Sequence, residues 1–317
     1  MGIPLLVIVG PTAVGKTEIS IELAKRLNGE IISADSMLVY RYMDIGTAKP
    51  TIVEQQGIKH YMIDVVEPSE DFSVAKYQKM AKRCIREVYS KGKLPILVGG
   101  TGLYVNSIIC DMDFKETVTD WGYREKLKKL AEIYGNEYLY KELEKIDKET
   151  AAKLHVNDLK RIIRALEIYK FTGKTPSQLQ PERTIDKPNE EFDSLIIGLT
   201  VRNREELYKR IDKRVDLMIE RGLVDEVKKL KEKGFTRALV SMQGLGYKEI
   251  MGYLDGEYTL EEAIEKLKRE TRRFAKRQLT WFRRNKQIKW FFIDEFANKH
   301  DLIENIIKFI EGNLNFE

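Results

Sequence analysis

The chain has 317 residues, 43% of them hydrophobic, and a formal net charge of +5. Its length exceeds an average domain, so a main domain with a second unit is expected. Cys84 and Cys110, with His60, His155 and His300, are too few and too scattered for a disulfide framework or a zinc site. Apolar runs such as 5–9 and 195–199 are too short to span a bilayer, and the start lacks the layout of a signal peptide, which predicts a cytoplasmic protein.

Residues 5–9 read as a buried strand. They run into Gly10-Pro11-Thr12-Ala13-Val14-Gly15-Lys16-Thr17, after which apolar residues recur at Ile19, Leu23 and Leu27. Strand, glycine loop and helix in that order are the context a phosphate-binding P-loop needs. The glycines let backbone N–H groups curl inward, and the helix N-terminus adds positive potential. Lys16 is placed to reach terminal phosphate oxygens, and Thr17 to offer its hydroxyl to Mg2+. The loop predicts a bound diphosphate or triphosphate, as in nucleotide-binding proteins, and leaves open whether that phosphate belongs to ATP.

Residues 30–34 read as a second strand ending on Asp35-Ser36, 58–65 as a third, and 74–91 as a helix. A fourth strand, 95–98, enters Gly99-Gly100-Thr101-Gly102. Such alternation predicts an α/β fold, a P-loop NTPase-like parallel sheet with helices on both faces. Ligands gather at the carboxyl ends of such strands, where the P-loop, Asp35 and the 99–102 turn should converge.

Over 113–192 the pattern turns highly charged and helical, with helices expected at 123–134, 137–146 and 158–171, Asn157 as an N-cap and Gly173 as a stop. This reads as an inserted all-helical domain dividing the core into 1–112 and 193–317. Gly173-Lys174-Thr175 is not a second P-loop, because a helix precedes it and Ile168 stands where a glycine is required. A strand at 195–199 returns to the sheet, followed by helices over 205–233 and 260–284 with the Gly244-Leu245-Gly246-Tyr247 turn between them.

Charge is uneven. From Glu265 to Lys289 eleven Lys and Arg face two Glu, a balance of +9 that leaves −4 for the rest of the chain. On a helix, Lys266, Arg269, Arg273, Lys276, Arg277, Arg283 and Arg284 share one face, with Leu267, Phe274, Gln278 and Trp281 opposite. A merely solvated face is the common meaning of a charge run, but this imbalance favours a polyanion such as RNA.

ATPases and kinases of this class need an acidic residue at a second strand end to hold Mg2+. The 94–98 strand ends in glycines, which leaves Asp64 as the candidate. Asp35, beside the loop, is placed either to take a proton from a nucleophile or to cap the following turn.

Several motifs in order, Gly-Pro-Thr-Ala-x-Gly-Lys-Thr at 10–17, Ser-x-Asp-Ser at 33–36, Met43-Asp44-Ile45-Gly46-Thr47-Ala48-Lys49-Pro50, Gly-Gly-Thr-Gly-Leu-Tyr at 99–104, Asn157-Asp158 with Arg161-Ile162 and Arg164-Ala165-Leu166-Glu167, and Ala275-Lys276-Arg277-Gln278-x-Thr280-Trp281, span nearly the whole chain. The ordered set resembles the bacterial tRNA dimethylallyltransferases. The resemblance implies transfer of a dimethylallyl group from dimethylallyl diphosphate to the exocyclic amine of the adenosine just 3′ of the anticodon, with Mg2+ as cofactor. By similarity, Gly10, Pro11, Thr12, Ala13, Val14, Gly15, Lys16 and Thr17 hold the donor, with Thr17 at the metal and Arg214, or else Arg210, on the diphosphate. Asp35, Thr101 and Arg214 form the implied catalytic set.

Contacts with tRNA are implied for Asp35, Ser36, Met37, Leu38, Thr101 and Arg124, and with the anticodon loop for Lys160 and Arg161. Arg273, Arg277 and Gln278 of the basic helix are expected to join them, in a monomer that needs no membrane. Three other readings remain: an adenylate isopentenyltransferase acting on a free nucleotide, a P-loop small-molecule kinase, and a non-catalytic RNA-binding NTP switch. The helical insert and the basic segment favour RNA over a mononucleotide.

Overall fold

Six strands form one sheet in which every described pair is parallel: β1 (Ile3–Val9), β2 (Gly29–Ser33), β3 (His60–Tyr61), β4 (Leu94–Gly99), β5 (Phe192–Thr200) and β6 (Lys289–Phe292), in the order β3-β2-β4-β1-β5-β6. They belong to a computed structural model that describes residues 2–112, 120–179 and 187–315. β1 is continuously apolar because helices cover both of its faces. Leu6 and Ile8 pack with Ile19 and Leu23 of helix Lys16–Arg26 and with Leu302 and Ile306 of helix Lys299–Glu311. Helix Val74–Ser90 buries Tyr77, Ala81, Ile85 and Val88 against β1, β2 and β4. The expected parallel sheet with helices on both faces is what forms.

The third strand is shorter than the 58–65 expected. Met62 and Asp64 take positive φ values of 63° and 55°, which end pairing with β2 after two residues. That turn lets the Asp64 and Val65 N–H groups reach the carbonyls of Leu38 and Val39 instead. The helix expected over 205–233 is two helices, Arg204–Glu220 and Leu223–Glu232, separated at Gly222, whose φ of 94° no continuing helix allows. Helices Tyr247–Leu254 and Lys299–Glu311 and the edge strand β6 were not expected from the pattern. β6 has only four residues, too few to show a period.

The chain divides into two compact units, Met1–Asp111 with Lys187–Glu317, and Met112–Asp186. The return to the sheet unit thus comes earlier than residue 192, and the expected start of the insert at 113 lies outside the described residues. The Asp111 N–H donates to the Lys187 carbonyl (2.9 Å) and the Asn189 N–H to that of Ile109 (2.9 Å), which ties 187–191 to the sheet unit.

The second unit is helical where described. Helices Trp121–Tyr134, Asn136–Ile146 and Leu159–Thr172 enclose Leu127, Leu139, Leu143, Ile162 and Leu166. Asp158, not Asn157, stands at the N-cap of the last of these, and Gly173 ends it at a φ of 67° as expected.

Candidate active site

The phosphate loop leaves β1 with Ala13 and Gly15 at φ values of 66° and 88°, so consecutive N–H groups turn toward one concavity at the start of helix Lys16–Arg26. The Lys16 ammonium folds back on its own loop, donating to the carbonyls of Gly10 (3.0 Å) and Pro11 (2.8 Å). Burial, with a smaller push from Arg214, lowers its pKa to about 8 against the opposing pull of Asp35. A cation held at this cost is poised for a negative ligand, whose arrival relieves both causes. Thr17 is exposed at the first helical turn.

Three strand ends meet here, as anticipated, but the link between them comes from a distant helix. Gln278 of helix Leu260–Phe282 is 6% exposed; its Oε1 accepts from the Thr12 N–H (2.9 Å) and its Nε2 donates to the Gly100 carbonyl (2.9 Å). Gln278 was expected on the tRNA surface. It is instead an internal strut between the P-loop and the turn after β4, because the helix buries this side chain against the strand ends. Gly100 has no room for a side chain, since an added Cβ would lie 2.2 Å from Gln278 Nε2. Gly100→Ala therefore displaces the strut, and its thermal unfolding midpoint should fall by an amount equivalent to about 1–3 kcal/mol, the range for overpacking. An unchanged midpoint would show that Gln278 can move aside freely.

Asp35 follows the same face of β2 as Ile31 and Ser33. One of its oxygens, Oδ1, accepts from the Met37 N–H (2.8 Å), and the other has no hydrogen-bond partner among the described residues. The turn-capping reading is met by one oxygen, and the other oxygen is left available. Thr101 lines neither of the cavities described below. Its Oγ1 accepts from the Ser36 N–H (3.0 Å), and the Thr101 N–H donates to the Ala34 carbonyl (3.1 Å). Through these two bonds Thr101 positions the turn that carries Asp35. Asp64, the alternative metal ligand, is ion-paired with Lys49 and lines neither cavity.

Two cavities adjoin. One, of about 270 Å³, lies over the loop and is lined by Lys16, Thr17, Ser33, Leu38 and Gly100. The other, of about 300 Å³, is lined by Ser36 and Met37 together with the apolar Val215, Met218, Leu245 and Leu267. Thr12, Asp35, Thr47, Arg214 and Phe274 line both, so they form the junction. Arg214 and Arg210 sit one helical turn apart on Arg204–Glu220, and the structure separates them: Arg210 is exposed, pairs with Glu206 (3.1 Å) and lines neither cavity. Burial pulls the Arg214 pKa down, and Asp35 partly restores it.

The turn that presents Thr47 is held by Glu226, a residue no motif singled out. Its carboxylate accepts from the N–H groups of Asp44 (3.0 Å), Ile45 (2.8 Å) and Gly46 (3.1 Å) and from the Tyr247 hydroxyl (2.6 Å). The carboxylate lies about 180 residues further along the chain than the turn it holds, so no local pattern could reveal it.

In the helical unit, Arg124 donates two charge-assisted hydrogen bonds to the Glu167 carboxylate, from Nε (2.9 Å) and Nη2 (2.8 Å). Burial pushes the Glu167 pKa up, but donors from Arg124, the Asp120 N–H and Arg164 outweigh it and hold the carboxyl below its usual range. Two Arg124 donors thus serve the unit's own core and not its surface. Lys160 and Arg161 are exposed, Arg161 pairing with Asp158 (3.0 Å).

On the basic helix, Arg273, Lys276 and Arg277 are exposed and line a shallow groove with Trp281 and Arg284, and Arg277 also reaches the apolar cavity. Reversing both Arg273 and Arg277 to Glu should weaken RNA binding and flatten its dependence on log salt concentration, by a slope of about two if each meets one phosphate. Binding measured across a salt series checks this; an unchanged slope would mean that the face is only solvated.

A P-loop that opens into a largely apolar chamber, with an acid and an arginine where the two meet, is the site of an α/β protein whose relatives are transferases. The sequence model of the IPP transferase family matches residues 38–285. A tRNA dimethylallyltransferase of Caldanaerobacter subterraneus is 54% identical over 316 residues, covering 100% of both chains, and one from Clostridioides difficile is 51% identical, covering 98% and 99%. Among solved structures, the tRNA isopentenylpyrophosphate transferase of Bacillus halodurans is 49% identical with a TM-score of 0.72, covering 98% of this chain and 96% of that one. A eukaryotic dimethylallyltransferase solved acting on tRNA is 31% identical with a TM-score of 0.78, covering 98% and 80%. The chain belongs to the IPP transferase family, on the branch of the bacterial tRNA dimethylallyltransferases.

Proposed function

We propose that this chain transfers the dimethylallyl group of dimethylallyl diphosphate to the exocyclic amine of the adenosine immediately 3′ of the anticodon in tRNA, releasing diphosphate. The junction of the two cavities carries the reading. Phosphoryl transfer needs phosphate contacts on both sides of the reacting atom, whereas a prenyl donor needs phosphate contacts on one side and apolar walls on the other. Val215, Met218, Leu245, Leu267 and Phe274 supply those walls.

The amine lone pair attacks the allylic carbon, the carbon–oxygen bond breaks with its electron pair leaving on diphosphate, and the amine proton passes to Asp35. Lys16, the loop N–H groups and Arg214 meet the negative charge as it develops, each such contact being worth on the order of 3 kcal/mol. The apolar walls keep water from an allylic carbon that it would otherwise capture. Displacing the adenine from its stack costs about a few kcal/mol, offset by pocket contacts and by phosphate contacts on the basic helix.

Mg2+ fits the donor set. Thr17 presents an exposed hydroxyl, and among the described residues no group of three or more His, Cys, Asp or Glu forms a protein cage. Mg2+ characteristically keeps several waters and takes its other oxygens from substrate phosphates. When bound through Thr17 it would neutralise charge on the leaving group. No described helix is long and apolar enough to cross a membrane; a tRNA substrate supports a cytoplasmic site of action.

The deciding assay supplies radiolabelled dimethylallyl diphosphate with unmodified tRNA, with AMP, or with ATP. Label on tRNA alone is expected. Label on AMP alone would assign a free-nucleotide enzyme, and no label on any acceptor would overturn prenyl transfer.

A further inference from the structure

Ser33 ends β2 two residues before Asp35, and with Ile31 it lines the phosphate cavity. Alternate residues of a strand share a face, so the three side chains follow one another along the cavity wall. Ser33 is 4% exposed, and its Oγ has no hydrogen-bond partner among the described residues. A buried hydroxyl without a partner is costly, and native proteins rarely keep one without a use. Its backbone is firmly placed, since the Tyr77 hydroxyl donates to the Ser33 carbonyl (3.0 Å). Ser194 Oγ is the other buried side-chain oxygen without a partner among the described residues, but it lines neither cavity.

We infer that the Ser33 hydroxyl is a further binding group of the donor site, engaged by the diphosphate directly or through a water of its metal. The inference rests on the diphosphate reading above. A hydroxyl suits the place because it both donates to a phosphate oxygen and accepts from a metal-bound water. A second carboxylate there would repel the leaving group. An alanine would leave the anion one donor short.

Two measurements on the full chain test this with Ser33→Ala: titration with inorganic pyrophosphate, with and without Mg2+, and the thermal midpoint without ligand. The affinity should fall about fivefold to tenfold, the worth of one hydrogen bond to a charged group. The ligand-free midpoint should stay equal or rise, because the substitution removes a desolvated hydroxyl. A loss seen only with Mg2+ assigns the hydroxyl to the metal's water shell, and an equal loss without it assigns a phosphate oxygen. Undiminished affinity in both conditions overturns the inference, as does a lowered midpoint that accounts for the loss. Failure of the unsubstituted protein to bind pyrophosphate would instead overturn the diphosphate reading itself.

Discussion

Asp35→Asn should keep the donor and lose the reaction. Single-turnover transfer is expected to slow by about 10²–10⁴, the range for a removed general base. Donor affinity should change little, because Asp35 takes no part in the loop's N–H concavity. The asparagine is the sharper choice because its amide oxygen still accepts from the Met37 N–H, the bond that now shapes the turn. Asp35→Ala removes both functions, and the lost cap alone should cost about 1 kcal/mol of stability. Comparing the two separates proton transfer from positioning. Near-normal single-turnover rates in Asp35→Asn would refute the catalytic role and leave Asp35 as a turn cap beside the site.

Lys16→Met should abolish donor binding while making the empty protein more stable. The Lys16 pKa of about 8 lies below the usual lysine value of 10.5, with burial the main cause and Arg214 the second. Between those values the unfolded chain binds more protons than the folded one, so ligand-free stability rises with pH through that window. Below about pH 8 both states are protonated, and the cost of the buried charge is present in full, on the order of 3 kcal/mol. Methionine removes that cost but also the bonds to the Gly10 and Pro11 carbonyls, leaving a net gain of about 1–2 kcal/mol at pH 7.

Pyrophosphate binding tells the other half. An anion favours protonated Lys16, so the Kd of the unsubstituted protein should rise by up to about tenfold per pH unit above about 8. Calorimetry from pH 7 to 9.5 measures it. A flat Kd across that range, or a destabilised Lys16→Met, would mean that the lysine is not a strained cation awaiting its ligand.

How much was legible differs residue by residue. The P-loop stood out because all its parts lie within one strand, one turn and one helix start, and backbone geometry there follows from local sequence. Asp35 was legible for the same reason, being at the end of a strand whose neighbour in the sheet is set by the fold class. The third strand was misread because 58–65 has the right composition, but the turn at Met62 and Asp64 depends on pairing with the carbonyls of Leu38 and Val39. Gln278 carried a helical pattern placing it opposite the basic face, and its burial follows that pattern. Nothing local showed that its amide would join two strand ends.

Sequence by itself determined the phosphate loop, the parallel α/β sheet, the basic helix and the family, because each is written in contiguous residues or in the order of motifs. Only tertiary structure decided that Arg214 and not Arg210 lines the cavity over the P-loop, that Arg124 is engaged by the buried Glu167, and that Thr101 supports the Asp35 turn. It alone placed Gln278 across the P-loop from 266 residues away, Glu226 under the 44–46 turn, and Ser33 without a partner at the cavity wall. The physical reason is common to all of them. Helical or strand period tells which way a side chain points, whereas its role depends on which distant side chain fills the space it points into.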